Sequence, residues 1–205
     1  MMAERLLLIR HAATESSLSG RLLGATDEEI INPGSLATKQ LATMIDSFAP
    51  TRLLCSPMLR ARQSAALLTE KSKLATEIDN DLREINFGQW ERLTFEEISE
   101  HYPELVDQWN SYAVDFCLPG GEKLAAFHER VHKAARRLAA LPEKTVAVVT
   151  HGGVIRTMIC YFLGLSARQY LLFDVKPYGM SDLHIFGKRG VLAGLNLGLT
   201  ENEDG

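Results

Sequence analysis

Two histidines and two arginines stand at matching places in this chain, each at or just past a short apolar run. Arg10-His11 closes the run Arg5–Arg10 (RLLLIR), and Arg60 comes about one turn after the run at 52–56 (RLLCS). His151-Gly152-Gly153 follows the run Thr145–Thr150 (TVAVVT). A single such residue would be a cap or a solvated side chain, but four at equivalent positions make a cluster that suits an anion. Arginine's planar fork matches phosphate or carboxylate oxygens in pairs, and helix N-termini add backbone donors.

The elements that must position these residues are legible from their patterns. Short apolar runs bounded by turns read as buried strands, and each of the three is followed by a helical pattern. The first leads through a Gly- and Ser-containing loop to a helix at 35–48, with Leu36, Leu41, Met44 or Ile45, and Phe48 near helical spacing. The second leads to a helix at 58–69, and the third to one at 154–163 with Gly164 as its C-cap. Residues 77–78 read as a short fourth strand, and the alternating 182–186 (DLHIF) as a last one. This alternation predicts a three-layer α/β/α sandwich with a mostly parallel sheet, in which ligands bind outside the carboxyl ends of the strands. Residues 91–141 are helical by pattern, with breaks at Pro103 and at 119–121. No repeat or linker divides the chain, so residues 1–205 read as one domain.

Composition narrows the function. A chain of 205 residues buries roughly 70% of its unfolded surface and needs no staple. The net charge of −4 gives no global field toward nucleic acid or anionic membrane, so neither is an expected partner. Cys55, Cys117 and Cys160 are odd in number and far apart, which points to an intracellular protein. No signal-peptide pattern is present, and no apolar run approaches the roughly 18 residues of a membrane span. A cytoplasmic location is therefore expected, and the sequence permits a homodimer.

Four longer segments carry a family resemblance. Arg10-His11-Ala12-Ala13-Thr14 resembles the RHGET signature of the histidine phosphatase (phosphoglycerate mutase-like) superfamily. Ser56-Pro57-Met58-Leu59-Arg60-Ala61-Arg62-Gln63-Ser64-Ala65 is similar to its SPLxRAxQTA segment, and Leu82-Arg83-Glu84-Ile85-Asn86-Phe87-Gly88-Gln89-Trp90-Glu91 to its LREIDFGxWEG segment. Thr150-His151-Gly152-Gly153 matches its second-histidine motif, and Gly24, Asp27 and Gly34 keep its spacing after the first strand. The order is right and the segments span nearly the whole chain.

The resemblance implies roles. His11 is the nucleophile that becomes a phosphohistidine, splitting one hard step into two. Arg10 and Arg60 disfavour its imidazolium form and neutralise the phosphoryl oxygens of the transition state. His151 hydrogen-bonds the transferring group. Glu84 donates the proton to the leaving alcohol, which requires burial and a nearby phosphate dianion to favour its acid form. Ser17, Arg21, Gly24 and Gly152 are expected to touch substrate, whereas Arg156 reads as a surface or supporting residue. No metal or other cofactor is expected, and the partner is a small-molecule phosphate ester.

Departures and rival readings also follow. Ala12 replaces the family's glycine, which is tolerable only if φ is negative. Ala13 replaces a common acidic residue, and Ser17 a common asparagine. His128-Glu129-Arg130-Val131-His132 is a formal HExxH zinc motif, but Leu124, Phe127, Val131 and Leu138 form an apolar stripe that would leave both histidines in solvent. The phosphoglycerate mutase alternative calls for a basic insertion. Residues 89–123 are instead acidic and aromatic (Glu96, Glu97, Glu100, Glu104, Asp107, Trp109, Tyr112, Asp115), with only Arg92 and Lys123 basic. Hydrolysis is the expected reaction, with α-ribazole-5′-phosphate as one substrate of the small bacterial members this chain resembles. A catalytically weak binding relative is the remaining rival.

Overall fold

The run RLLLIR forms β1 (Arg5–Arg10), and its residues 6–9 are fully buried because layers cover both faces of the sheet. The computed structural model describes residues 3–72, 74–111 and 115–199; Tyr112 of the acidic stretch lies outside them. β2 (Arg52–Cys55), β3 (Thr76–Ile78), β4 (Thr145–Thr150), β5 (Met180–Phe186) and β6 (Arg189–Leu197) complete a six-stranded sheet of order β3-β2-β4-β1-β5-β6. The pairs β2·β3, β2·β4 and β1·β4 are parallel, whereas β1·β5 and β5·β6 are antiparallel.

Helices fill both faces: α1 (Glu15–Leu18), α2 (Leu36–Ser47), α3 (Leu59–Leu68), α4 (Phe95–His101), α5 (Pro103–Asn110), α6 (Leu124–Ala139) and α7 (Gly152–Leu163). Alternate residues of each strand point to opposite faces, and the core divides accordingly. Leu6, Leu8, Val146 and Val148 pack with Phe127, Val131, Ile155 and Ile159 of α6 and α7. Leu7, Ile9, Ala147 and Val149 pack with Leu41, Ile45, Ala61 and Ala65 of α2 and α3. The three layers expected from the sequence are these. Among the strands and α-helices, two elements were not anticipated. β6 alternates weakly because Gly190 and Gly194 interrupt its apolar face, and α1 is a single turn held by a capping box between Thr14 and Ser17. Gly164 does end α7, at φ +70°.

Sheet register sets the site. β1 pairs β4 with Arg10 opposite Thr150, so the next residues, His11 and His151, leave the sheet side by side. The His11 N–H donates to the Thr150 carbonyl at 2.9 Å, and the Ser56 N–H to Val149 at 3.0 Å. Three strand ends thus open on one spot.

Candidate active site

The two imidazoles meet edge to face, with centroids 5.0 Å apart and planes 61° apart. His11 is 4% exposed, and its Nδ1 lies 2.6 Å from the carbonyl oxygen of Ala12. A carbonyl only accepts, so Nδ1 carries the proton and the Nε2 lone pair is the available nucleophile. Burial, then the charges of Arg60 and Arg10, hold the His11 pKa well below the usual histidine value; the Ala12 bond opposes them. Desolvation is the larger cause, ahead of the two arginines named from the sequence.

His151 is fully buried, with Nε2 2.7 Å from Ser56 Oγ. Burial, then Arg60, His11 and Arg10, depress its pKa likewise. Ala12 takes no left-handed conformation, its methyl sits in the apolar core beside α3, and its N–H donates to Ser64 Oγ at 2.8 Å. The alanine is thus accommodated where the family has glycine, and its carbonyl is the group that orients His11.

Arg10 donates to the Val175 carbonyl at 2.5 Å, and burial, then Arg156, lowers its pKa to about 10. Arg60 is fully buried, with its terminal nitrogens spent on the loop after β1: the carbonyls of Leu23, Gly24 and Thr26, and the Asp27 carboxylate at 3.3 Å. Arg10 Nε, Arg60 Nε and His151 Nδ1 are buried and have no hydrogen-bond partner among the described residues.

Glu84 reaches this spot from the segment between β3 and α4. It is 9% exposed; Oε2 accepts from the Gly153 N–H at 2.9 Å and Oε1 from the Ile85 N–H at 3.1 Å. Arg83 and Arg92, candidate partners for a merely solvated Glu84, bind Asn80 and Glu28 instead. The Glu84 backbone is held from below. Arg130 of α6 donates to the carbonyls of Asp81, Arg83 and Glu84 at 3.0, 2.7 and 2.9 Å, and pairs with Glu122 through two nitrogens. Nothing in the sequence singled out Arg130 except its place inside the zinc-like pentapeptide.

A cleft of about 210 Å³ opens over the histidines. Of the expected residues, Arg10, His11, Ser17, Arg21, Glu84 and Gly152 line it. Arg60 and His151 lie beneath, in contact with the site through its charge and through the His11 ring. Gly24 does not line the cleft; its N–H binds Glu91, its carbonyl binds Arg60, and a Cβ would collide with the Ile85 carbonyl. Ser17 spends its hydroxyl proton on the Thr14 carbonyl, and Arg21 pairs with Glu97 through both terminal nitrogens, at 2.9 and 3.3 Å. Arg156, read from the sequence as a surface or supporting residue, lines the cleft with its Nε anchored on the Phe173 carbonyl at 2.7 Å. Its spacing of four from Gly152 puts both on one face of α7, a signal the sequence did carry.

His128 and His132 are not in solvent. Both are partly buried, with His132 stacked at 4.9 Å on Tyr161 of α7 and His128 lining the cleft beside Tyr170. Burial, then His132, lowers the His128 pKa to about 4. The stripe of α6 is wider than its apolar residues because α7 covers its histidine edge. Among the described residues no group of three or more His, Cys, Asp or Glu is placed to hold a metal ion, and no helix is long and apolar enough to cross a membrane.

The family model described as "Histidine phosphatase superfamily (branch 1)" matches residues 6–198. Phosphoserine phosphatase 1 of Hydrogenobacter thermophilus is 29% identical over 196 residues, covering 94% of this chain and 92% of the relative. The adenosylcobalamin/alpha-ribazole phosphatase of Escherichia coli K12 is 29% identical over 197 residues, covering 94% and 95%. The crystal structure of the alpha-ribazole phosphatase from Shigella flexneri superposes with a TM-score of 0.83 at 27% identity, covering 97% of this chain and 100% of that one.

Proposed function

The chain belongs to the histidine phosphatase superfamily (branch 1) and is a phosphoric monoester hydrolase; from that premise we propose that it works through a phosphohistidine on His11. The observation that carries the reading is the set of buried donors without partners, Arg10 Nε, Arg60 Nε and His151 Nδ1, around a neutral imidazole. Buried donors left unpaired are costly, and the oxygens of a phosphoryl group would satisfy all three. We take Ser56 Oγ as the donor to Nε2 of His151, which puts the proton of that ring on Nδ1, where it can meet a phosphoryl oxygen.

In this mechanism His11 Nε2 attacks phosphorus and the bond to the ester oxygen breaks. Glu84 gives its proton to the departing alkoxide. The Glu84 carboxylate then takes a proton from water as that water attacks the phosphohistidine, which releases phosphate and restores His11. Arg10 and Arg60 carry fixed positive charge toward the oxygens where negative charge builds, and they need no reorganisation to do so. Water rather than a second alcohol is the acceptor, because residues 89–123 offer few cations for a second phosphate.

The substrate is a small-molecule phosphate monoester, and because two of the relatives above are named alpha-ribazole phosphatases, α-ribazole-5′-phosphate is the first ester to try. The cysteines Cys55, Cys117 and Cys160 are free thiols, and we read the enzyme as cytoplasmic. The test is phosphate release from a panel of monoesters, inhibited by vanadate, insensitive to EDTA and lost in His11→Ala. Isomerisation of 3-phosphoglycerate to 2-phosphoglycerate without net phosphate release would replace hydrolysis with the mutase reaction.

A further inference from the structure

The cleft has two unlike ends. At the histidine end, Arg10 and Arg156 flank Gly152: a Cβ there would lie 3.6 Å from Arg10 Nε and 3.7 Å from Arg156 Nη1. Neither arginine forms an ion pair among the described residues, and Arg156 is close enough to lower the Arg10 pKa. Arg156 therefore adds positive charge where the phosphoryl group sits. Away from that end the wall is apolar and aromatic, supplied by Leu23, Phe87, Trp109, Phe127, Tyr170 and Leu171. These come from five separate parts of the chain: the loop after β1, the Glu84 segment, α5, α6 and the 3-10 segment Ala167–Leu172.

The aromatic wall is ordered. The Trp109 indole N–H, which only donates, hydrogen-bonds the Tyr170 hydroxyl, and the Trp109 ring packs 5.4 Å from buried Trp90 and 6.2 Å from Phe95. Leu171, at the mouth, is 60% exposed. The other cation of the cleft, Arg21, is committed to Glu97 and to the Arg92 carbonyl. His128 adds no charge there near neutral pH, its pKa being held near 4 by burial. Apart from Arg156, which stands beside Arg10 at the histidine end, a second anionic group beyond the ester oxygen would meet apolar side chains and no uncommitted cation among the described lining residues.

Resting on the hydrolase reading above, we propose that the physiological leaving alcohol carries a flat apolar or aromatic body and no second anionic group. Size agrees: an apolar cavity of roughly 150 Å³ holds one benzene-sized ring, and the cleft of about 210 Å³ has room for a phosphoryl group and part of such a body. The remainder would leave past Leu171.

The test compares three esters of unactivated primary alcohols, so that leaving-group basicity varies little: 3-phenylpropyl phosphate, propyl phosphate and O-phosphoserine. The expected kcat/KM for the phenyl ester exceeds that for propyl phosphate by about 10-fold or more, the range set by burying one aromatic side chain. O-Phosphoserine falls below the phenyl ester. Trp109→Ala and, independently, Leu171→Ser shrink the phenyl-to-propyl ratio, and Trp109→Phe restores most of it. The ratio is read on whichever variants fold, and the wild-type ratio stands without them. A wild-type ratio near one, or preference for O-phosphoserine over the phenyl ester, overturns the inference while leaving the hydrolase reading intact. Release from none of the three, nor from any other monoester, removes both.

Discussion

Glu84 and Gly153 are fitted to each other: the Gly153 N–H donates to Glu84 Oε2 at 2.9 Å, and a Cβ on residue 153 would come within 2.5 Å of Oε1. The first turn of α7 thus holds the carboxyl proposed as the proton donor, and the second glycine after His151 is there for Glu84. The neighbouring Gly152 has no such demand, since a Cβ there meets only ordinary contacts. Gly153→Ala should push Glu84 out of place. We expect kcat/KM on alkyl phosphates to fall about 10²-fold, the scale of a roughly 1 Å displacement, while Gly152→Ala loses far less. Equal losses from the two substitutions, measured by steady-state kinetics on folded protein, would mean that Gly153 does not position Glu84.

Glu84 as the proton donor has its own signature. Glu84→Gln should lower kcat/KM, which reports transfer to His11 and not the later hydrolysis, by about 10²–10⁴-fold for alkyl phosphates. The effect on p-nitrophenyl phosphate should be much smaller, because that leaving group departs without a proton. Parallel losses on both esters would take the role away from Glu84.

Arg130 should act on the reaction without touching substrate. Its guanidinium, 10% exposed as a side chain, pairs with Glu122 and gathers three carbonyls of residues 81–84. Arg130→Met leaves the half-buried Glu122 without its partner, a change expected to cost less than the roughly 3–5 kcal/mol of breaking a fully buried pair. Urea unfolding measures this. In the folded variant kcat on alkyl phosphates should drop with little change in KM, and Arg130→Lys should not rescue it, because an ammonium cannot span the same fork of acceptors. Loss of stability with unchanged kcat would make Arg130 a structural residue alone.

Acid should destabilise the fold before its carboxylates titrate. His11 and His151 stay neutral well below the usual histidine value, and His128 down to about 4. Below pH ~6.5 the unfolded chain takes up protons that the folded one refuses, so stability falls as pH drops through that window. Each such histidine contributes a slope of about 1.4 kcal/mol per pH unit there. Unfolding free energies between pH 7 and 5 should decline, and His128→Gln should flatten the slope by about one histidine's share. A flat profile in the wild type would contradict the buried neutral assignment.

The fold was readable where one rule dominated. Leu6 to Ile9 and Val146 to Val149 have to lie in a sheet covered on both sides, and the parallel register of β1 with β4 then puts His11 beside His151. Glu84 was recognisable only through its motif, because nothing in a lone Arg83-Glu84 pair announces that Gly153 will meet it from 69 residues away. β6 was lost to its glycines, and the burial of His128 and His132 was lost because residues on α7 and on the 3-10 segment Ala167–Leu172, not on their own helix, cover them. Long-range contacts made by polar side chains leave no periodicity. Arg130, Ser56 and Ser64 belong to that class.

In the proposed reaction His11 carries the phosphoryl group, and the Ala12 carbonyl fixes which nitrogen does so. Rapid quenching of the enzyme with a phosphate monoester under alkaline conditions, followed by ³¹P NMR and peptide mass spectrometry, tests both points. One phosphoryl group is expected on His11, attached at Nε2, absent in His11→Ala and accumulating in Glu84→Gln with p-nitrophenyl phosphate. Turnover with no phosphohistidine in that variant, or with the label on His151 or on Nδ1 of His11, would contradict it.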